Sequence, residues 1–456
     1  MKNYEMDLCN GSLWKKILIY SIPLMFSNIL QVLFNMSDIA VVGKFAGPVA
    51  LGAVGSTSIL ITLFTGVLIG LSSGVNALTA LYIGSKSEKD LKETVHTAAI
   101  LCFAMGVLIM VLGILFSNAI LTAMHTKEVL LSDAVLYLRI YLTGMPALAL
   151  YNFGNAVLSA AGDTKRPLYY LLFSGIVNVI LNLFFVIVCN WSVAGVAVAS
   201  VIAQYLSAVL ILTLLFRSRE HFALRIQYLK ISADKVKRIL RIGIPSAFQF
   251  ALFAIANLFV QTSVNSFDHV MVEGNSAAAN ADPLVYDMMA AFYTACASFI
   301  AQNFGAQKKD RIIKSYFICL VYSFIIGLVL GIGLYLFRYP FLSLFTNDSA
   351  VVIAGIKRLS IMALSYSVSA FMDCTIAASR GLGKSILPTI IVIMGSCVFR
   401  IVWIYTVFAY FRTIEALYLL YVFSWLLTAI AEILYFIGVY RASCRPSHQR
   451  TFQRSL

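Results

Sequence analysis

Apolar segments of about 20 residues or more follow one another along the whole chain, separated by short polar stretches. An α-helix needs about that length to cross roughly 30 Å of hydrocarbon. In the first half the segments lie at 14–42, 52–83, 95–117, 134–160, 168–189 and 193–216. In the second half they lie at 238–267, 283–304, 312–337, 356–379, 386–411 and 415–440. The pattern predicts an all-α polytopic membrane protein with 12 transmembrane helices.

The two halves of the chain repeat one another at an offset of 221 or 222 positions. Ile22-Pro23 returns as Ile244-Pro245, and Gly162 returns as Gly383. Six helices in each repeat predict that both repeats enter the membrane from the same side, as an N lobe and a C lobe with a central cleft between them. The predicted divisions are an N lobe, a cytoplasmic connector, a C lobe and a cytoplasmic tail, at 1–216, 217–237, 238–440 and 441–456.

Composition supports a membrane protein and narrows its chemistry. Hydrophobic residues make up 61% of the chain and charged residues 12%, against roughly 25% charged residues in soluble domains. The eight cysteines stand singly, without metal-ligand spacing, so we expect no disulfide framework, no structural metal and no cofactor. The net charge of +14 comes from basic residues in short loops without interleaved aromatic residues, which argues against nucleic-acid binding.

The basic residues also predict the orientation. With a cytoplasmic N-terminus, 26 of the 34 Lys and Arg residues fall in cytoplasmic segments and seven fall outside, which leaves only Arg400 near the middle of a span. By the positive-inside rule, we expect both termini to be cytoplasmic. The expected location is the plasma (cell inner) membrane, as a multi-pass protein. The polar stretch 217–241 joins the two halves, and its composition suggests an amphipathic helix on the membrane surface.

Four short fragments stand out: Ala161–Pro167, Arg380–Ser385 with Pro388, Ser37-Asp38 with Val42-Gly43, and Gln302–Ala306. The first two resemble the paired "RGxGDTKxP" loops of the multidrug and toxic compound extrusion (MATE) family of transporters. The third resembles the first-helix "D…VG" signature of that family, and the fourth resembles its "QNxGA" motif. The resemblance implies a V-shaped pair of six-helix bundles that exports organic, often cationic, compounds against an inward Na⁺ or H⁺ gradient. Gly162 and Gly383 fit either a tight cytoplasmic turn or a moving hinge.

Carboxylates inside the predicted spans are the candidate coupling groups, because an ionised acid in the bilayer needs an interior partner, a proton or water. Asp38 lies in the first helix with Asn35 nearby, and its counterpart in the second half is Val260. We interpret Asp38 as the coupling site, against the alternative of an acid hydrogen-bonded near a helix end.

Two amides of the predicted fifth helix complete the candidate coupling site. Asn178 and Asn182 lie at i and i+4 on one face of that helix. In one MATE branch a fifth-helix acid accompanies the first-helix Asp, and Asn182 takes that place here. Asp38 with these amide oxygens would suit Na⁺, whereas Asp38 alone would suit H⁺.

The second half supplies three more charged candidates. Asp373, in the tenth helix, is a second candidate coupling acid. Arg400 needs an anion, and Glu432 or Asp373 could form a structural charge pair with it; Arg400 with Glu432 is the pair we predict. Aromatic and Met side chains could line a substrate cleft, because aromatic rings stack on planar cations and Met side chains adapt their shape. The candidates are Met36, Tyr141, Phe153, Met288, Met289, Tyr293 and Tyr366.

The sequence therefore predicts a secondary exporter of organic, cationic compounds that works by antiport with Na⁺ or H⁺. Its expected partners are small-molecule substrates and the lipid bilayer, and we expect a monomer. One alternative is a lipid-linked saccharide flippase of the same broad superfamily, although such flippases tend to have basic cavities. The other is a polytopic membrane enzyme, which would need a clustered nucleophile, a metal motif or paired carboxylates; all five His residues lie instead in loops or at span ends.

Overall fold

The computed structural model describes residues 5–443, in which helices are joined by short turns and no strand occurs. The helices of the first repeat are α1 (Leu13–Val41), α2 (Pro48–Gly84), α3 (Glu88–Ala123), α4 (Glu128–Leu142), α5 (Met145–Ala160), α6 (Lys165–Leu183) and α7 (Ser192–Arg217). Those of the second are α8 (Ala233–Val264), α9 (His269–Ala279), α10 (Ala281–Gly305), α11 (Lys309–Leu336), α12 (Arg338–Ser343), α13 (Ser349–Gly381), α14 (Ile386–Val392), α15 (Phe399–Trp403), α16 (Ala409–Phe411) and α17 (Ile414–Ser443). The predicted all-α fold is confirmed.

The described residues contain 11 helices long and apolar enough to cross a membrane, and α4 with α5 forms a twelfth, broken span bent by 45°. The break follows from Pro146, which cannot donate a backbone hydrogen bond and whose ring would clash with the carbonyl of Leu142 in a continuous helix. The predicted 12 spans are therefore found, with the one at 134–160 divided at Thr143 and Gly144. Residues 444–456 of the predicted tail lie outside the described residues.

The chain forms two compact units that follow the repeats except at α1 and α8. The first unit contains residues 26–247 and the residues up to Asp7, and the second contains Leu8–Met25 and the chain from Phe248 onward. The first part of α1 thus packs within the second unit, and the first part of α8 packs within the first unit. A division of the chain at the connector alone does not show this exchange.

Small residues and side-chain anchors hold the exchanged segments. In the first unit, a Cβ on Gly70 would lie 2.4 Å from the backbone nitrogen of Ala247, so only glycine allows α2 to approach α8 this closely. In the second unit, Lys308 Nζ donates to the carbonyl of Cys9 at 2.9 Å, and Asn303 Nδ2 donates to that of Leu8 at 3.2 Å. The Gln302–Ala306 motif therefore helps to fasten the N-terminal segment.

The connector between α7 and α8 is not an amphipathic helix, so that expectation is wrong. Residues 218–232 form no α-helix and contain a turn at 220–223 and a 3₁₀ turn at Ile226–Tyr228, and the basic residues at 235–241 lie at the start of α8. The reason is that α3 side chains bind connector backbone that a helix would use internally. The backbone N–H of Arg225 donates to His96 Nε2 at 3.0 Å, and Thr97 Oγ1 bonds to Lys230 O and Ser232 N at 3.2 and 3.1 Å.

The Ala161–Pro167 loop is a tight turn between α5 and α6. Gly162 has φ +87° and Gly383, its repeat, has φ +75°, a left-handed region that favours glycine. Asp163 is fully buried and its Oδ1 accepts from the backbone N–H groups of Lys165 and Arg166, each at 3.2 Å, which caps α6. The loop therefore has the geometry of a tight turn.

Candidate functional site

Three polar side chains surround Asp38 in the first unit. Asn182 Nδ2 donates to Asp38 Oδ1, and Ser200 Oγ donates to Asp38 Oδ2 at 3.1 Å. Asn178 connects these two donors, because its Nδ2 donates to Ser200 Oγ at 3.4 Å and its Oδ1 accepts from Asn182 Nδ2 at 3.3 Å. We call Asp38, Asn178, Asn182 and Ser200 the Asp38 cluster; they come from α1, α6 and α7.

The Asp38 cluster offers oxygen atoms but no positive charge. Among the described residues, no Lys, Arg or His lies within ion-pair distance of Asp38. Asn178 and Asn182 are buried, and Asn182 Oδ1 has no hydrogen-bond donor in the part of the chain that the structure describes. A half-buried carboxylate beside an amide oxygen without a donor fits a cation that prefers oxygen ligands, such as Na⁺.

Asn35 does not join the Asp38 cluster. Its side chain is exposed, and none of its described contacts reaches Asp38. Ser200 is the member that the sequence did not reveal, since a single serine in the apolar helix α7 carries no pattern of its own. Tyr137 and Tyr141 lie within electrostatic range of Asp38 and stack with ring centroids 5.9 Å apart.

π-helical turns follow two members of the Asp38 cluster. They span Val42–Ala46, just after Asp38 in α1, and Phe184–Val188, directly after Asn182 in α6. A π-turn inserts one residue into the helical repeat and occurs frequently at functional sites. The local backbone is therefore irregular where the cluster is built.

The predicted Arg400–Glu432 pair is wrong. Arg400 instead donates from Nη1 to Asn257 Oδ1 at 3.1 Å and from Nε to Ser424 Oγ at 3.4 Å. Ser424 and Glu432 are eight residues apart on α17, which places them about 12 Å apart along the helix at 1.5 Å per residue. Glu432 lies too deep along α17 to reach the guanidinium.

The remaining acids of the second unit have other surroundings. Asp373 lies within electrostatic range of Arg380 and near Tyr293, while Arg380 donates to Gln249. Glu432 is fully buried, and neither of its carboxylate oxygens has a hydrogen-bond donor in the described part of the chain. The structure does not bring Asp373 into the Asp38 cluster, which belongs to the first unit.

A buried charged network in the second unit was not predicted. Arg358 donates to Asp282 Oδ2 at 2.5 Å and to Asn275 Oδ1 at 2.7 Å, and Tyr366 donates to Asp282 Oδ1 at 2.5 Å. Tyr418 completes it by donating to Asn275 at 3.0 Å. Asp282 and Arg358 stand at the ends of predicted spans, where charged residues are ordinary, so the sequence did not mark their pairing.

The predicted substrate-cleft residues divide by burial. Phe153, Met289 and Tyr366 are fully buried, and Tyr366 is bonded into the network around Asp282. Met36 is exposed, and the three that are half-buried are Tyr141, Met288 and Tyr293.

Comparisons with known proteins agree with this fold and with the repeat. The MatE family model matches residues 23–184 and 245–406, two stretches at an offset of 222. The probable multidrug resistance protein YoeA of Bacillus subtilis is 28% identical over 392 residues, 84% of each chain, and the FAD transporter of Shewanella oneidensis is 24% identical over 352 residues, 76% of this chain and 77% of its own.

A solved structure of a MOP superfamily transporter from Pyrococcus furiosus superposes with a TM-score of 0.91 at 23% identity, over 98% of this chain and 99% of that one. This likeness shows a shared fold. Because the family model covers both repeats and most of the chain, the chain belongs to the MatE family of multi-pass membrane transporters.

Proposed function

We propose that this protein exports organic compounds by antiport with a monovalent cation, and that Asp38 is the residue that binds the coupling cation. The observation that carries the proposal is the Asp38 cluster itself: a carboxylate inside a transmembrane helix, bonded by Asn182 and Ser200 and without a basic partner among the described residues. An ionised carboxylate at the bilayer centre costs roughly 2.5–3.5 kcal/mol. A bound cation relieves that cost, and its release restores it.

The oxygen atoms of the Asp38 cluster favour Na⁺ over H⁺ as the coupling cation. A proton would need only the carboxylate, whereas Na⁺ would use the Asp38 carboxylate with the neutral oxygens of Asn178, Asn182 and Ser200. The oxygen of Asn182 that lacks a donor supports this choice. Asp373, in the second unit, is a second candidate acid for coupling.

The names of relatives support export of organic compounds but not one substrate. YoeA carries the name of a probable multidrug resistance protein, and the Shewanella oneidensis relative that of an FAD transporter. We extend drug export to this chain as part of the proposal. Drug and dye efflux under an imposed Na⁺ or pH gradient would support it, whereas transport of lipid-linked saccharides alone would favour a flippase.

The test of coupling uses Asp38→Asn in liposomes. This change keeps the size of the side chain and removes its titratable charge, so we expect folded protein that binds drug and has lost gradient-driven export. With Na⁺ as the coupling ion, Asn178→Ala and Asn182→Ala should raise the Na⁺ concentration for half-maximal transport by about tenfold, as expected for loss of about 1.4 kcal/mol. With H⁺, the same changes should shift the pH profile instead.

Asn35→Ala is the matched control. Asn35 is an asparagine like Asn178 and Asn182 and lies on the same helix as Asp38, but it lies outside the Asp38 cluster. It should retain wild-type Na⁺ dependence. Export by Asp38→Asn at the wild-type rate under an imposed gradient would contradict the proposal.

A further inference from the structure

Arg400 is a buried guanidinium with neutral partners. It lies on α15, between π-helical turns at Ile393–Val398 and Ile404–Phe408, and only 2% of its surface is exposed. Besides the bonds to Asn257 and Ser424, its guanidinium carbon stands 4.5 Å from the ring centroid of Tyr421 and 5.5 Å from that of Phe253. Every one of these residues belongs to the second unit.

The positive charge of Arg400 has no acidic partner within 4 Å in the described part of the chain. A guanidinium carries five N–H donors, and only two have acceptors among the described residues. Buried permanent charges are ordinarily paired, because solvation lost in the interior must be replaced. Asp373 lies within electrostatic range of Arg400 but forms no ion pair with it, so the guanidinium has no anionic hydrogen-bond partner among the described residues.

The repeat relates Arg400 to the Asp38 cluster with the charge inverted. At the offset of 222 between the two family matches, Asn257 corresponds to Asn35 and Arg400 to Asn178, while Val260 corresponds to Asp38. Where the first unit has an acid beside an amide, the second has an apolar residue beside a guanidinium. The ligand complementary to the second position is an anion.

An anion can approach Arg400 from the side of Asn257. Asn257 is exposed, and its Oδ1 accepts from the buried guanidinium, so this bond links Arg400 to the surface of the unit. Replacing one neutral acceptor with a charged one strengthens the hydrogen bond, since charge-assisted bonds are roughly twice as strong as neutral ones. The ring of Trp425 lies beside that of Tyr421, with centroids 5.7 Å apart, and the ring of Tyr286 lies beside that of Trp425 at 5.8 Å. These two rings extend the aromatic surface beyond Tyr421.

We propose that Arg400, with Asn257 and Ser424, binds a carboxylate or phosphate group of the transported compound, and that the neighbouring aromatic side chains hold its planar part. This inference rests on the proposed export function, because it names the substrate class: planar organic compounds with an anionic group. The guanidinium fork matches both oxyanions with paired hydrogen bonds.

The test compares two flavins that differ by one phosphate, riboflavin and FMN. Binding to the purified protein is measured by flavin fluorescence, without an ion gradient. Wild type should bind FMN at least about tenfold more tightly than riboflavin. Arg400→Gln should remove that preference by weakening FMN alone, and Arg400→Lys should retain part of it because it keeps the charge without the fork.

Arg400→Gln should fold, because it breaks no ion pair among the described residues, and its melting temperature and elution profile check this. Should it not fold, Arg400→Lys with Asn257→Ala carries the test through their FMN-to-riboflavin ratios. Equal affinity of wild type for the two flavins, no FMN binding, or an unchanged preference in a folded Arg400 variant would overturn the proposal.

Asp38→Asn separates this inference from the export proposal. It should keep the FMN preference, since Asp38 lies in the other unit, while losing gradient-driven export. If Asp38→Asn exports normally and the preference still depends on Arg400, the coupling proposal fails and the anion site stands.

Discussion

The turn at Gly162 allows a prediction that decides between a structural loop and a moving hinge. An alanine Cβ at Gly162 would lie 2.3 Å from the carbonyl oxygen of Met6 and 2.8 Å from its backbone nitrogen, in a backbone with φ +87°. Gly47 is the comparison position, because its φ is +90° and a Cβ there would meet nothing within 4 Å. The two glycines share a positive φ, although Gly47 has ψ 175°, and they differ in the contact.

The expected magnitudes follow from that difference. Left-handed backbone costs an alanine about 1–2 kcal/mol, which applies to Gly162→Ala. Gly47, with φ +90° and ψ 175°, lies in a region almost restricted to glycine, where strain costs about 1–3 kcal/mol. Overlap with the Met6 backbone adds about 1–3 kcal/mol at Gly162, as for an overpacked interior. We therefore expect Gly162→Ala to lose about 2–5 kcal/mol of stability and Gly47→Ala about 1–3 kcal/mol.

Apparent melting temperatures of the purified proteins, with transport in liposomes normalised to folded protein, measure both properties. For a structural turn, Gly162→Ala melts lowest and each folded molecule still transports. A loss of only about 1–2 kcal/mol in Gly162→Ala, the cost of the backbone alone, would refute the contact argument. A Gly162→Ala protein as stable as wild type but without transport would favour the hinge.

Two further predictions concern the predicted cytoplasmic side. Burial, followed by the charge of Glu220, raises the pKa of Glu5 to about 7 from its ordinary 4.5. The folded protein then holds more protons than the unfolded chain between those values, so stability falls as pH rises from 4.5 to 7. The melting temperature of Glu5→Gln should differ less between pH 5 and pH 8 than that of wild type. At pH 8 the variant should be the more stable protein, by less than about 1 kcal/mol because the site is partly solvated. An unchanged pH dependence would contradict this. For topology, a cysteine introduced at Ser232 should resist an impermeant thiol reagent applied to intact cells, and labelling from outside would reverse the predicted orientation.

Helix positions could be predicted from the sequence because hydrocarbon thickness sets the length of each span locally. The broken span at Thr143 and Gly144 also has a local cause in Pro146. The exchange of the first parts of α1 and α8 had no such signal. It depends on pairs distant in sequence, such as Gly70 with Ala247, which a hydropathy pattern does not contain.

The candidate site could be predicted only where a polar residue stood out against an apolar helix. Asp38, Asn178 and Asn182 did, and the structure brings them together. Ser200 is small and common in membrane helices, so its hydroxyl became significant only through its position beside Asp38. Arg400 stands out in the sequence as a charge near the middle of a span, but charge alone does not identify its partner. It bonds to Ser424, because Glu432 lies about two turns farther along α17.

Asn35 and Asn257 show why a shared backbone does not imply a shared site. They occupy equivalent positions at the 222-residue offset, yet Asn35 lies outside the Asp38 cluster while Asn257 holds the guanidinium of Arg400. Duplication fixes the helices through many apolar contacts, whereas one substitution changes the charge of a polar position. Because Asp38 corresponds to Val260 and Asn178 corresponds to Arg400 at this offset, the two proposed sites would bind ions of opposite charge. Cation coupling and substrate recognition could therefore be assigned to different units without any change in the fold.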